Sequence, residues 1–187
     1  MRRVMWGLVC LAGIGGAANA QDRLCAQYWF GRNLIYDRAG HCFGSPLGRA
    51  IFNNADCTGQ VSELPPEAAA TVALIREMEA EWECSMDVSA IALPDFPEHE
   101  QWFWLQDIPV PDGWESACVG YRGAPIELHA ARDAASLVTG QVPTGGNIPF
   151  DYIPRDGWIF VSGHGVTGLG WMPDPDLATL ECEMFAG

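Results

Sequence analysis

The apolar positions of this 187-residue chain follow a helical period in its first half and an alternating one in its second. Leu24, Tyr28, Trp29 and Ile35 fall at helical spacing, which predicts a helix beginning near Asp22 and stopping before Gly40. Ser45-Pro46 offers a cap followed by proline at the first helical position, so Leu47 to Phe52 reads as a short second helix ended by Asn53-Asn54. The clearest helix follows Pro65-Pro66 and runs from Glu67 to about Glu83, with Val72, Ile75, Met78 and Trp82 on one buried face. Glu77, Glu79, Glu81 and Glu83 crowd its C-terminal end, where the helix dipole disfavours negative charge. A disulfide at Cys84 is therefore the expected anchor of that end, and the glutamates are read as a solvated face.

Residues 87–116 are punctuated by proline and rich in aromatics, and are expected to form a linker with one short strand, packed on both halves through Trp102, Phe103 and Trp104. From Ala117 onward short runs end in turn residues: Ile126 to Leu128, Leu137 to Val142, Asn147 to Tyr152, Trp158 to Val161 and Leu169 to Met172. Alternation with Asp-Gly and Gly-Gly turns predicts a small antiparallel barrel.

The first residues change the count of cysteines. Met1-Arg2-Arg3, an apolar run from Val4 to Ile14 and Ala18-Asn19-Ala20 form the three parts of a secretory signal peptide cut after Ala20. The run is too short to span a bilayer, which takes roughly 20 residues, so no membrane span is expected after cleavage. Cys10 leaves with the signal. Cys25, Cys42, Cys57, Cys84, Cys118 and Cys182 remain, an even number bound for an oxidising compartment, and three disulfides are the default. The spacing does not choose among pairings, although Cys118 with Cys182 is preferred because the two flank the barrel. Without Cys-x-x-Cys, and with His41, His99, His129 and His164 scattered, neither a metal site nor a redox centre is expected, nor any cofactor.

Charge narrows the partners. The formal net charge is −14 and every basic residue is arginine; the expected signal removes two arginines, leaving −16. Such a surface repels nucleic acid and anionic lipid and favours a basic partner, although acidic charge also serves solubility alone.

Arg32-Asn33-Leu34-Ile35-Tyr36-Asp37-Arg38-Ala39-Gly40, with Phe43 and Leu47-Gly48-Arg49 behind it, resembles the YARHG domain, a small extracellular module of bacterial proteins. Tyr36, Arg38 and Gly40 match; Asp37 and Ala39 depart. With Cys42 and Cys57 the stretch from Cys25 to Cys84 is similar to a cysteine-bearing relative of unknown function. The resemblance implies a compartment and a fold and lends no catalytic residues. Arg32, Asn33, Tyr36 and Arg38 are read first as groups that hold backbone turns, and second as a recognition surface.

The second half resembles the bacterial SH3-like domain. Gly140, Pro143 and Gly145 before Ile148, Gly157-Trp158-Ile159-Phe160-Val161 and Gly168-Leu169-Gly170-Trp171-Met172 carry the likeness from about Ala117 to Leu177. It departs at Leu128-His129-Ala130-Ala131, where Arg132 comes one place late. The resemblance implies binding of cell-wall peptides or an adaptor role. Tyr152, Trp158 and Trp171 are the candidate ligand-binding residues, with core packing the alternative, favoured for Trp158.

Catalytic constellations are weak. His41 adjoins Cys42, but neighbours on one backbone seldom face each other and an even cysteine count leaves no spare thiol. Ser162-Gly163-His164-Gly165 lacks an elbow motif, glycine-rich segments lack the lysine of a phosphate loop, and no carboxylate spacing singles out a pair.

The expectation is an α+β protein with a signal peptide at 1–20, a disulfide-stapled YARHG-like helical module at 21–86, a linker at 87–116 and an SH3-like barrel with a C-terminal tail at 117–187. It would be a non-catalytic periplasmic or secreted adaptor binding a peptide, a peptidoglycan fragment or an envelope protein. An acidic inhibitor of a basic cell-wall hydrolase is the alternative, and a cysteine hydrolase the third.

Overall fold

The computed structural model describes residues 15–187, with side chains from Ala20 onward; of the signal peptide expected at 1–20, residues 1–14 lie outside the described residues and 15–20 are helical. Helix α1 (Gly15–Arg38) ends at Gly40, whose φ of +86° suits glycine and where a Cβ would lie 2.5 Å from Thr58 Oγ1. Helix α2 (Pro46–Phe52) starts as its sequence specifies: Ser45 Oγ accepts the Gly48 N–H at 3.1 Å with proline next to the cap. It stops at Asn53 in the left-handed region, and the Asn54 amide then accepts from and donates to the Phe43 backbone. The Cys42–Cys57 disulfide closes this loop.

Helix α3 (Pro66–Glu81) lies along α1, burying Val72, Ile75 and Met78. Two covalent and ionic ties hold the pair: the Cys25–Cys84 disulfide and a forked Arg32–Glu79 bridge with contacts of 3.0 Å. The crowded glutamates at the end of α3 are thus offset by a cross-link and, for Glu79, by an arginine.

Residues 87–116 contain only the four-residue helix α4 (His99–Trp102) and a single bridge, Pro111 to Tyr152, where a short strand was expected. Trp102 is buried, whereas Phe103 and Trp104 are exposed, Trp104 by 69%.

Eight short strands follow: β1 (Ala117–Val119), β2 (Ile126–His129), β3 (Val138–Val142), β4 (Ile148–Pro149), β5 (Trp158–Val161), β6 (Thr167–Gly168), β7 (Gly170–Pro173) and β8 (Met184–Ala186). They form two open antiparallel sheets, β5-β7-β2-β3-β6 and β4-β1-β8, and the closed barrel expected from the alternation does not form. The physical reason is local. β6 is two residues long and does not reach β5, while β1 takes β4 and β8 as partners in a sheet of its own. Cys118–Cys182 ties β1 to the segment leading into β8.

Alternation along the larger sheet splits its side chains between two cores. Ile159, Val161 and Met172 join Cys118, Leu128, Val142 and Ile148 on one face. Phe160 and Trp171 join the other core, where they meet Tyr28, Phe30 and Leu34 of α1, Ile75 of α3 and Trp102 of the connecting segment. The helices therefore cover one face of the sheet and the three-stranded sheet contributes to covering the other, giving a mixed helix and sheet protein with three disulfides.

Cys25–Cys84 closes a loop of 59 residues between the main helices, a length for which chain entropy gives up to about 4 kcal/mol. A Cys25→Ala/Cys84→Ala variant is expected to lose about 2–4 kcal/mol of stability with a larger m-value, because the unfolded chain expands once the cross-link is gone, measured by urea unfolding.

Candidate functional site

Tyr152, Trp158 and Trp171 do not line an open groove. All three face the helical side of the sheet, where Trp171 has no exposed surface and Tyr152 only 5%. Trp171 donates its Nε1–H to the Asp107 carbonyl at 3.0 Å beneath the Arg132 guanidinium, 5.7 Å from its ring centre. Trp158 is half-buried with the His129 ring edge against it. Phe160 stands between Tyr152 and Trp171, edge-on to both at 4.8 and 5.5 Å, so the aromatic faces expected to hold a ligand are committed to the core.

Tyr152 still reaches a site at its hydroxyl edge. Its oxygen accepts the Gln27 amide N–H at 3.2 Å and pairs with Ser162 Oγ at 3.2 Å. Burial pushes the phenol up to about 12, so it is a neutral hydroxyl at any physiological pH. Beside it opens a cavity of about 650 Å³ between the start of α1, the end of α3, Pro111 to Glu115 and the Asp151-Tyr152 and Ser162-Gly163 segments.

The cavity wall is aromatic and its rim acidic. Trp82 and Trp114 meet edge to face at 5.8 Å, and Trp114 is 70% exposed. Their placement follows from the turn between them. Asp112 Oδ1 accepts the Trp114 N–H at 2.8 Å, an Asx turn, and Gly113 at φ +84° lets the chain pass over the Trp82 ring. A Cβ at Gly113 would lie 2.2 Å from Trp82 Cζ2. Tyr28 anchors the same segment by donating its hydroxyl to the Pro111 carbonyl at 3.0 Å. Trp82 itself ends α3, two residues before the Cys84 cross-link to α1, and its indole Nε1 is buried without a hydrogen-bond partner among the described residues.

Glu81, Glu83, Glu115 and Asp151 line the cavity with Arg23, whose guanidinium is engaged by Glu98 at 3.0 Å and the Asp95 carbonyl at 3.1 Å. The Asp151 carboxyl is pushed up to about 6, chiefly by burial; the Ser116 N–H opposes this, and the nearby Glu115 and Asp112 charges add to it. Burial raises Asp112 as well.

A second, smaller cavity of about 320 Å³ is lined by Arg38, Arg132 and Arg155. Its cations are already used. Arg132, 8% exposed, is paired with Asp107, Asp156 and Glu67, which come from the connecting segment, the β4–β5 turn and α3. Arg155 donates to Thr71 Oγ1 at 2.8 Å, and Arg38 to the carbonyls of Leu105 and Gln106. Arg38 thus holds a backbone turn, as do Asn33, which donates to the Trp29 carbonyl at 2.7 Å, and Arg49 at Gly44. Tyr36 accepts from Arg76 at 3.3 Å.

The other candidate groups find different places. Cys42 is bonded to Cys57 and carries no thiol beside His41. Ser162 faces Tyr152, while His164 is exposed in the turn that follows. Among the described residues no group of three or more histidines, cysteines or carboxylates is placed to hold a metal ion, and no helix is long and apolar enough to cross a membrane. Sequence reasoning missed Trp82 as a cavity wall, because its helical spacing placed it on the buried face. It also missed Trp114, although Pro111-Asp112-Gly113 marks a turn that presents the next residue to solvent.

Two family models match the chain. A model described as Domain of unknown function (DUF4453) matches residues 83–187, and one described as YARHG domain matches residues 7–80. The YARHG resemblance of the first half is thereby shown, and the SH3-like resemblance of the second is not confirmed. No curated protein and no solved structure matches significantly.

Because Trp171 fills the shared core, Trp171→Ala is expected to lose about 3–5 kcal/mol in denaturant unfolding. Asp151 has the opposite sign. Its folded-state value near 6 exceeds the ordinary carboxylate value of about 4, so the native state binds more protons and stability falls as pH rises between those values. Asp151→Asn, which keeps an acceptor for Ser116, is expected to match the parent at pH 4. At pH 7.5 it should exceed it by about 1 kcal/mol after solvent screening, read from paired melts.

Proposed function

The chain belongs to the family described as Domain of unknown function (DUF4453), with a YARHG domain ahead of that region, and on this premise we propose a non-catalytic binding protein of the periplasm or extracellular space. Its ligand site is the aromatic cavity between helices and sheet, and its ligand a peptide, a cell-wall fragment or a segment of an envelope protein. The observation that carries this reading is Trp114, a large apolar ring left 70% exposed at the mouth of a cavity that also reaches the Tyr152–Ser162 hydroxyl pair. The turn that presents it is built from Asp112 and Gly113.

Other features support the compartment and weigh against one catalytic reading. YARHG domains are extracellular, and three disulfides persist in oxidising surroundings. Cys25, Cys42, Cys57, Cys84, Cys118 and Cys182 are all cross-linked, which disfavours a cysteine hydrolase. The net charge of −14 favours one second reading, an inhibitor docking on a basic cell-wall hydrolase.

Co-sedimentation of the oxidised protein with purified peptidoglycan sacculi, beside a Trp114→Ala variant with unchanged circular dichroism, tests the first reading. Saturable retention that falls at least tenfold in the variant is expected. Retention independent of Trp114 would overturn the cavity as the site. No retention at all would remove the cell wall and leave the protein-partner reading, tested by salt-sensitive pull-down from an envelope fraction.

A further inference from the structure

The cavity chemistry narrows the ligand beyond that reading, on which the inference rests. Two tryptophans offer aromatic surface at 5.8 Å from each other, and the exposed one has a face free to receive a ligand. A cation is held over such a face by the ring quadrupole, an attraction that strengthens with desolvation. Glu81, Glu83, Glu115 and Asp151 surround the same space, and Arg23, the basic side chain in the lining, is turned to Glu98 and the Asp95 carbonyl. The field inside is therefore negative. A carboxylate or phosphate ligand would meet repulsion from four side chains, whereas an ammonium or guanidinium group would be attracted by both the rings and the rim.

Size selects among cationic ligands. About 650 Å³ far exceeds one amine, and is enough for several residues of an extended chain. Hydroxyl groups of Tyr152 and Ser162 stand in the lining, where they can pair with the peptide units of such a chain.

We infer that the cavity receives an extended basic peptide segment, with a lysine or arginine side chain placed between Trp114 and the carboxylates of Glu83, Glu115 and Asp151. Charge complementarity determines the occupant. A neutral sugar would stack on the rings and donate hydroxyls to the carboxylates, but it lacks the charge attraction that an ammonium or guanidinium adds.

Isothermal titration of the oxidised protein with the N-acetylated, C-amidated peptide Gly-Lys-Lys-Gly tests this against the same peptide carrying acetyl-lysine and against Gly-Glu-Glu-Gly. Saturable one-to-one binding of the lysine peptide alone is expected. It should weaken about tenfold in Trp114→Ala, and comparably in a Glu83→Gln/Glu115→Gln variant that leaves the rings in place. Raising salt from 0.05 to about 0.5 M should weaken it further, because the Debye length contracts. Equal binding of the lysine and acetyl-lysine peptides, or none of either, overturns the cationic assignment. If sacculi are still retained through Trp114 in that case, the cavity stands as the binding site and only its ligand class is wrong. If Trp114→Ala alters neither readout, the site itself is wrong.

Discussion

The indole of Trp102 is the contact on which both halves depend. It lies on a four-residue helix, yet its ring meets Phe30 of α1 at 6.1 Å, Phe96 at 5.1 Å and Phe160 of the sheet at 6.0 Å, all edge to face. Neither the helical half nor the sheet could bury it alone. α1 and α3 expose an apolar face that needs a cover, and the larger sheet exposes Phe160 and Trp171, which need another. Joining the two faces removes both from water, and the connecting segment is held between them by hydrogen bonds from Arg38 and Tyr28 and to Asp151.

The cavity is a by-product of that joining. The two faces meet tightly around Trp102 and diverge towards the start of α1, where the segment from Pro111 to Glu115 crosses the gap. A polar turn crossing a gap would leave an ordinary surface recess. Here Gly113 lies directly on Trp82, so the turn closes one wall and throws Trp114 outward. The rigidity of that wall comes from Cys84, which fixes the end of α3 to α1 two residues past Trp82. The Asp112 turn and the edge contact with Trp82 place the exposed Trp114 ring on this wall, and a ring already placed has less freedom to lose when a ligand arrives.

Much of the helical half was legible because its signals are local. Ser45-Pro46, Gly40, Asn53 and the spacing of Val72, Ile75 and Met78 each specify a cap, a stop or a buried face within a few residues. The strands of the second half were legible as strands for the same reason, and Trp158 to Val161 is one. Their closure was not. Whether β5 returns to pair with β6 depends on non-local partners, and β8, three exposed residues, carries no periodic signal at all. Reading the sheet as a barrel made one of its faces an interior and the other a surface. Both faces are in fact covered, and Trp171 passed from candidate ligand platform to core on that account.

The same distinction between local and non-local signals governs charge. Composition records an acidic chain whose basic residues are all arginine. It does not record where the arginines go. Arg32 bridges α1 to α3, Arg132 joins three segments through Asp107, Asp156 and Glu67, Arg155 reaches Thr71 of α3, and Arg38 caps the turn after α4. Guanidinium suits this use because its planar fork can serve several acceptors at once, where an ammonium is a single point charge. Positive charge is thus drawn into the joints of the fold, and the carboxylates that outnumber it are left on the surface and around the cavity. The negative field at Trp114 is therefore a consequence of how the halves are braced, and any ligand seated there must answer to it.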